Sequence, residues 1–370
     1  MPLFCPSTQV TCRHGSDTVR AHHQKETHGL GSDAYRVGSS CMQGWRATME
    51  DAHTHILSLP GDPAAAFFAV FDGHGGDKVA EFASRHLHTV LVGRPEYSVG
   101  RLAEALQQAC LQLDRMMLAD ETLRDVRAGT TAVCALIKDG VLYCANAGDS
   151  RAVASVCGRA EPLSVDHKPQ DRREQERITA AGGSVVANRV NGYLALSRAL
   201  GDFTFKQNSA VTAEHQVVTA FPDVETRQIT ADWEFVILAC DGIWDVMSNQ
   251  EVVAFVRSRI GRGLPPETIC EELLSHCLAS DFMFTGVGCD NMTVVLVCLT
   301  PTGSYAALAE RCSRPPLAEC EDGDGEDDEY EEEEEEERNY DEDDAEEDDE
   351  EDGEEEEYGR AADKTPEARP

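Results

Sequence analysis

The sequence lacks a membrane-spanning apolar run, and its start has no charged segment followed by an apolar stretch. Position 2 is Pro2 and not the glycine that N-myristoylation requires. These absences predict a protein that neither a lipid anchor nor a secretory signal directs to a membrane. We therefore expect a soluble protein in the cytoplasm, with the nucleus as a second location.

Paired cysteine motifs are also absent. The chain has 14 cysteines, but none of them forms a C-x-x-C pair. Most lie inside apolar runs, as Cys134, Cys144, Cys240 and Cys298 do. This placement predicts buried free thiols in a reducing compartment and argues against a disulfide framework.

Basic residues are scarce, with 32 Lys and Arg against 69 Asp and Glu and a formal net charge of −37. A basic excess is the usual mark of nucleic-acid binding, so we expect no nucleic-acid partner. Residues 321–357 hold 29 of the acidic residues and one basic residue, Arg338. Such a run cannot bury enough apolar surface to fold, so we predict that residues 302–370 form a disordered acidic tail. It serves either as a solubilising appendage or as a site for basic partners or cations.

Between these ends the hydrophobic pattern alternates between helices and strands. Apolar residues at three- and four-residue spacing predict helices at 82–92, 101–118, 171–181, 249–260 and 266–279. Apolar runs predict three short strands between Tyr35 and Asp72, and further strands at 233–240 and 292–299. Asp139-Gly140 predicts a hairpin turn, and the strand that follows Asp149 is expected to continue the same meander. Residues 1–33 carry few aliphatic side chains, which predicts a disordered lead. Helices on sheets of hairpin-connected strands indicate an α+β sandwich.

Acidic residues recur where the apolar strands begin or end. The run that starts at Phe67 closes on Asp72, and the run that starts at Phe235 closes on Asp241. Oxygen ligands without cysteine, and with one histidine nearby, favour Mg²⁺ or Mn²⁺ over zinc. Carboxylates that converge on one pocket repel one another unless cations lie between them. The alternative is a set of separate surface turns. The other acidic residues of this kind are Glu50, Asp51, Asp149, Asp245 and Asp290.

Nine short motifs occur in a fixed order between Tyr35 and Leu299. Together they resemble the metal-dependent serine/threonine protein phosphatases of type 2C, most closely the animal group with a helical extension after the catalytic domain. The acidic tail does not resemble that extension. The resemblance implies two antiparallel β-sheets flanked by helices, in an αββα order, over a catalytic domain at 34–301. The motifs are RATMEDAH, FDGHGG, GTTAV, AGDSRAV, DHKP, AAGGSV, NGYLALSRALGD, ACDGIWDVMS and CDNMTVVLV.

The resemblance also implies a ligand set for two Mg²⁺ or Mn²⁺ ions. It makes Asp72 the bridging ligand, with the Gly73 carbonyl, Asp241 and Asp290 completing the set. Glu50 and Asp51 would act directly or through water. Asp149 and Asp245 match positions that, with Asp241, hold a weaker third metal in some relatives.

Two further residues gain roles from the resemblance. Arg46 matches the arginine that binds the substrate phosphate. His74 is a candidate for the acid that protonates the leaving oxygen of serine or threonine, and the alternative is a histidine that orients metal-bound water. Arg198 is expected to hold a flap at 187–222 by ion pairing.

These expectations favour a monomeric enzyme that releases phosphate from phosphoprotein substrates. Two alternatives belong to other classes. One is a catalytically inactive member of the family that works as a binding module. The other is a scaffold that acts through its acidic tail. Loss of phosphate release on removal of Asp72 distinguishes the enzyme from both.

Overall fold

The computed structural model describes residues 20–281, 286–301 and 303–315. The chain divides into two units, Met1–Ala318 and Glu319–Pro370, and all described residues belong to the first. Its strands are β1 (His22–Gly31), β2 (Tyr35–Gly44), β3 (Ala52–Ile56), β4 (Ala65–Phe71), β5 (Gly73–His74), β6 (Gly129–Thr130), β7 (Ala132–Lys138), β8 (Val141–Ala147), β9 (Arg151–Val156), β10 (Arg159–Pro162), β11 (Val185–Val186), β12 (Arg189–Val190), β13 (Leu200–Gly201), β14 (Asp223–Gln228), β15 (Trp233–Ala239) and β16 (Met292–Leu299). Its α-helices are α1 (Lys78–Val92), α2 (Pro95–Ser98), α3 (Leu102–Ala119), α4 (Arg172–Ala180), α5 (Asp241–Trp244), α6 (Asn249–Gly261), α7 (Pro266–Cys277) and α8 (Tyr305–Ser313).

Two large antiparallel sheets form the centre of this unit. One has the strand order β1-β2-β16-β15-β9-β10, and the other has the order β14-β8-β7-β4-β3. The run of apolar residues in β4 is continuous because both faces of this strand are buried. Phe68 packs in the core between the sheets, whereas Phe67 packs on the opposite face against α1 and α3.

Helices cover the outer face of each sheet. Helices α1 and α3 pack on the five-stranded sheet through a cluster that includes Leu87 and Leu106. Helices α6, α7 and α8 pack on the six-stranded sheet through a cluster that includes Val253 and Leu273. The layers therefore run helix, sheet, sheet, helix, and the predicted α+β sandwich is confirmed.

The hairpin predicted at Asp139-Gly140 joins β7 to β8. Both residues have positive φ, 51° and 74°, as a two-residue hairpin turn requires. The expected continuation of this meander is wrong. Strand β9 leaves the five-stranded sheet and pairs with β10 and β15 in the other sheet. A strand buried on both faces has the same apolar pattern in either sheet, so the pattern does not say which sheet it joins.

The prediction of a disordered lead at 1–33 is wrong for residues 22–31. They form β1, which pairs with β2 from His22↔Gly44 to Gly31↔Arg36. Most of its side chains are exposed, so the strand is held by backbone hydrogen bonds at the sheet edge and has no apolar alternation. Residues 1–19 lie outside the described part of the chain.

The predicted start of the disordered tail, at residue 302, is also wrong. Residues 305–313 form α8, whose Leu308 and Cys312 are buried against the six-stranded sheet. The Tyr305 hydroxyl donates a hydrogen bond of 2.5 Å to the carbonyl of Leu264. Residues 316–370, which include the acidic segment at 321–357, lie outside the described part of the chain.

The cysteines that the structure describes are all free thiols, and most of them are buried, as predicted. Within the same residues, no helix is both long enough and apolar enough to span a membrane.

Candidate functional site

Ends of strands from both sheets bring acidic side chains together. Asp72 follows β4 and Asp149 lies just after β8, both in the five-stranded sheet. Asp241 follows β15 and begins α5 in the other sheet. Carboxylate oxygens of these three residues lie within 4.8 Å of one another.

A second group of possible metal ligands overlaps with the first. Ligand atoms of Asp51, Asp72 and Cys240 also lie within 4.8 Å of one another. Asp72 is the member that the two groups share. A carboxylate has two oxygens, so this position suits a ligand that bridges two ions.

The electrostatics of the cluster fit a divalent cation. Burial, and then the charges of Asp241, Asp51 and other carboxylates, raise the pKa of Asp72 well above its ordinary value. Burial and the charge of Asp149 likewise raise the pKa of Asp241 well above its ordinary value. Burial raises the pKa of Asp51 to about 7. Carboxylates held in a pocket that disfavours their charge need a positive counter-charge, and oxygen donors suit hard divalent ions.

A lysine side chain at this site cannot be predicted from the sequence pattern. Lys168, within the DHKP motif, donates from Nζ to Asp149 Oδ2 at 2.5 Å. Burial opposes its charge, but Asp149 and Asp241 outweigh that effect and raise the pKa of Lys168. The motif is part of the family pattern, but nothing in the sequence shows which carboxylate its lysine contacts.

Hydroxyl groups hold the central ligands in place. The Thr131 hydroxyl accepts a hydrogen bond from the backbone N–H of Asp72 at 3.1 Å and lies 2.7 Å from the Ser150 hydroxyl. Thr293 donates to Asp51 Oδ2 at 2.7 Å, whereas Asp51 Oδ1 is buried without a partner among the described residues. That unpaired oxygen is available to a cation.

Four predicted ligands lie outside the two groups: Glu50, Gly73, Asp245 and Asp290. Glu50 Oε2 accepts from the backbone N–H of Gly76 at 3.1 Å, and its Oε1 accepts from Thr48 at 2.8 Å, so Glu50 shapes the loop after β5. Asp245 follows α5 one turn after Asp241, and its charge acts on the same cluster. At Gly73, an added Cβ would lie 2.2 Å from the Glu50 carbonyl oxygen, so only glycine fits there.

Arg46 and Asp290 form an ion pair at the edge of the cluster. The Arg46 side chain is 54% exposed, so its guanidinium can reach a ligand in solution. Asn291 fixes the adjoining loop, because its amide donates to the carbonyls of Gln43 and Thr48 and its Oδ1 accepts from the Glu50 backbone. Arg46, the predicted phosphate-binding arginine, thus lies beside the predicted metal ligand Asp290.

His74 has a partner that the sequence pattern does not predict. Its Nε2 lies 2.6 Å from Asp202 Oδ2, and the Asp202 side chain is buried. Burial opposes a charge on the ring, but Asp202 outweighs that effect and raises the pKa of His74. Asp202 ends the SRALGD stretch, 128 residues after His74, and no local pattern links the two.

A buried ion-pair network lies beside the segment at 187–222. Glu174 on α4 accepts from Arg198 Nη2 and from Arg177 Nη1, each at 2.7 Å. Arg198 also donates to Asp223 at 2.8 Å. The expected ion pairing of Arg198 is confirmed, and its partners are these two carboxylates.

A family model described as Protein phosphatase 2C matches residues 35–283. A probable protein phosphatase 2C of Caenorhabditis elegans is 57% identical over 304 residues, which cover 81% of this chain and 85% of the relative. Protein phosphatase 2C homolog 2 of Schizosaccharomyces pombe is 50% identical over 265 residues, which cover 70% of this chain and 72% of the relative.

Solved structures agree with this similarity. A phosphatase from Toxoplasma gondii superposes with a TM-score of 0.65 at 26% identity, and the match covers 75% of this chain and 96% of that chain. A serine-threonine phosphatase 2C from the same organism gives a TM-score of 0.63 at 25% identity, with 74% and 99% covered.

Proposed function

The chain belongs to the protein phosphatase 2C family and is a protein serine/threonine phosphatase, and we propose that it works through two Mg²⁺ or Mn²⁺ ions held around Asp72. The observation that carries this proposal is the pair of overlapping ligand groups that share Asp72. Phosphoserine and phosphothreonine side chains of proteins are the proposed substrates.

Asp72 would contact both ions, with Asp241, Asp290 and the Gly73 carbonyl as further ligands. Asp51 would act directly or through water, since one of its oxygens is already held by Thr293. When bound, the two ions would supply an ionised water as nucleophile and neutralise charge on the phosphoryl group. Asp149, with Asp241 and Asp245, would hold a weaker third ion, and Asp149 also accepts a hydrogen bond from Lys168.

Arg46 would bind the phosphoryl oxygens. A guanidinium presents two parallel N–H donors, which match two phosphate oxygens. Its ion pair with Asp290 positions it before substrate arrives, and its exposed side chain leaves donors for the phosphate. Orientation of the phosphate in this way fixes the direction from which water attacks.

His74 would protonate the leaving oxygen. Serine and threonine alkoxides are poor leaving groups, so a proton donor lowers the barrier for them. Asp202 supports this role because it contacts Nε2 and favours the protonated ring. The alternative role of His74, in orienting metal-bound water, predicts a loss of activity that does not depend on the leaving group.

The test is phosphate release from a phosphothreonine peptide by the full chain with Mg²⁺ or Mn²⁺, and then with a chelator. We expect release that the chelator stops and that Asp241→Ala abolishes. Glu81→Gln is the matched control, because it removes an exposed carboxylate that pairs with Arg85 on the surface of α1. Release that survives in folded Asp241→Ala would refute the two-ion proposal. Absence of release from the folded wild type with metal would instead favour a binding module.

A further inference from the structure

A groove lies between the edge strand β1 and helix α7, beside the loop that carries Arg46. The end of the groove at that loop is a cavity of about 430 Å³, which Trp45 lines. Lys25 of β1 and Ser275 of α7 line this cavity and also a second one of about 420 Å³, which extends the groove to Arg259. Pockets that bind ligands have volumes of ~300–1,000 Å³, so the cavity at Trp45 is large enough to be one.

The pairing of β1 with β2 places this cavity next to the proposed phosphate-binding arginine. His22 of β1 pairs with Gly44 of β2, and Lys25 pairs with Met42. Gly44 is two residues before Arg46, so the start of β1 lies alongside the loop that presents the guanidinium. A chain bound at Arg46 can therefore continue into the groove.

Apolar side chains form part of the cavity wall. Met42 is buried, whereas Trp45 and Leu278 are partly exposed to the cavity. Trp45 Nε1 donates a hydrogen bond of 3.0 Å to the carbonyl of Ala279, which fixes the orientation of the indole ring. Tryptophan side chains are among those that contribute most to binding at protein interfaces. This wall suits contact with a peptide.

The ionisable side chains of the cavity at Trp45 are all of the basic type. They are Arg20, His23 and Lys25, and no carboxylate is among the described residues that line this cavity. Within the part of the chain that the structure describes, neither Arg20 nor Lys25 has an ion-pair partner. The chain has 69 acidic and 32 basic residues, so such a cavity runs against its overall charge. Its charge is complementary to that of an acidic ligand.

We propose that this groove binds the stretch of a phosphoprotein substrate next to the phosphorylated residue and favours acidic side chains in that stretch. The inference rests on the proposed function, because it takes Arg46 as the residue that binds the phosphate. The neighbouring stretch of substrate would contact Trp45 and place carboxylates near Arg20 and Lys25. Because the groove lies on one side of Arg46, the preference should be confined to one side of the phosphorylated residue.

The test uses two phosphothreonine peptides that differ only at the three residues on one side of the phosphothreonine. These residues are glutamate in one peptide and glutamine in the other, and a second pair of peptides carries them on the opposite side. For each protein, the ratio of kcat/KM for the glutamate peptide to kcat/KM for the glutamine peptide is measured, so that differences in the active fraction of the enzyme cancel. We expect Arg20→Gln/Lys25→Gln to lower this ratio about threefold to tenfold for one pair of peptides, since an exposed ion pair contributes up to about fivefold.

Arg85→Gln/Arg101→Gln is the matched control. It removes the same number of positive charges, from side chains that are 68% and 61% exposed. Arg85 lies on α1 and Arg101 directly precedes α3, and these helices cover the other large sheet. The control should change the ratio by less than about twofold, because salt screens distant charges. An equal fall in both double variants, or a fall of the same size for both pairs of peptides, would overturn the proposal.

Binding without turnover separates this proposal from the two-ion proposal. With a chelator present, fluorescence anisotropy of labelled peptides gives Kd for the glutamate and the glutamine peptide. Arg20→Gln/Lys25→Gln should raise Kd for the glutamate peptide about threefold to tenfold relative to the glutamine peptide. An unchanged relative Kd, or metal-dependent release with an unchanged ratio of kcat/KM, would overturn the groove proposal alone. Absence of release from the folded wild type, together with the expected change in Kd, would contradict the two-ion proposal alone.

Discussion

Glu174 offers a quantitative test of how the buried ion-pair network is held. Its side chain is 4% exposed, and those of Arg177 and Arg198 are 11% and 12% exposed. Burial opposes the charge of Glu174, but the two arginines outweigh that effect and lower its pKa from 4.5 to about 2. At ~1.36 kcal/mol for each pH unit, this difference corresponds to about 3 kcal/mol of stability at neutral pH.

We expect Glu174→Gln to lower the free energy of unfolding by about 3 kcal/mol at pH 7. The variant keeps the shape of the side chain but leaves two buried guanidinium groups without their shared carboxylate. The pKa of Glu174 is lower in the folded state than its ordinary value, so the ionised side chain stabilises the folded state at pH values above the ordinary pKa. This stabilisation is lost as the pH falls toward the pKa of the folded state. The difference between wild type and variant should therefore shrink below about pH 5 and be roughly half as large near pH 3.

The assay is urea unfolding followed by tryptophan fluorescence, over the pH range in which both proteins are folded without urea. Glu176→Gln is the control, because Glu176 lies on the same helix and pairs with Arg172 at the surface, where the side chains are 65% and 91% exposed. A surface pair of this kind contributes at most about 0.5 kcal/mol. A loss under about 1 kcal/mol in Glu174→Gln, or a loss that does not change with pH, would refute the reasoning.

Three other predictions address the site and the domain boundary. In the presence of a chelator, Asp72→Asn should have a free energy of unfolding about 1–2 kcal/mol higher than that of the wild type, because the substitution relieves repulsion among crowded carboxylates. A lower free energy of unfolding, measured in urea, would contradict this prediction. His74→Asn should slow release from a phosphothreonine peptide by roughly a hundredfold and from an aryl phosphate much less, in matched steady-state assays; equal losses would favour the role in orienting water. Deletion of residues 321–370 should leave kcat for a short phosphopeptide within about twofold of the full chain, since the tail carries none of the proposed ligands; a larger change would show that the tail affects the site.

Much of the fold could be predicted because buried segments have strong local patterns. The helices α1, α3, α6 and α7 and the strands β15 and β16 follow directly from hydrophobic spacing. Segments held mainly by backbone pairing could not be found in this way. Strand β1 is the example, because its polar side chains face solvent while its backbone completes the sheet.

The candidate site shows the same division. Acidic residues at strand ends are visible in the sequence, and the structure brings Asp51, Asp72, Asp149 and Asp241 together. The partners of Asp149 and of His74 are not visible in this way, because Lys168 and Asp202 are separated along the chain from the residues that they contact. Only the folded topology decides such pairs.

The pairing of β2 with β16 has a consequence for synthesis on the ribosome. These two strands lie side by side in the six-stranded sheet, although they come from opposite ends of the catalytic domain. At 5–20 residues per second, β2 waits roughly 10–50 s for its neighbour to be translated. Asp290, a proposed metal ligand, is made just before β16, so the proposed metal centre would be completed only at the end of the domain's translation. A nascent or prematurely terminated chain would therefore have an unpaired strand edge, a target for chaperones, before it had any phosphatase activity.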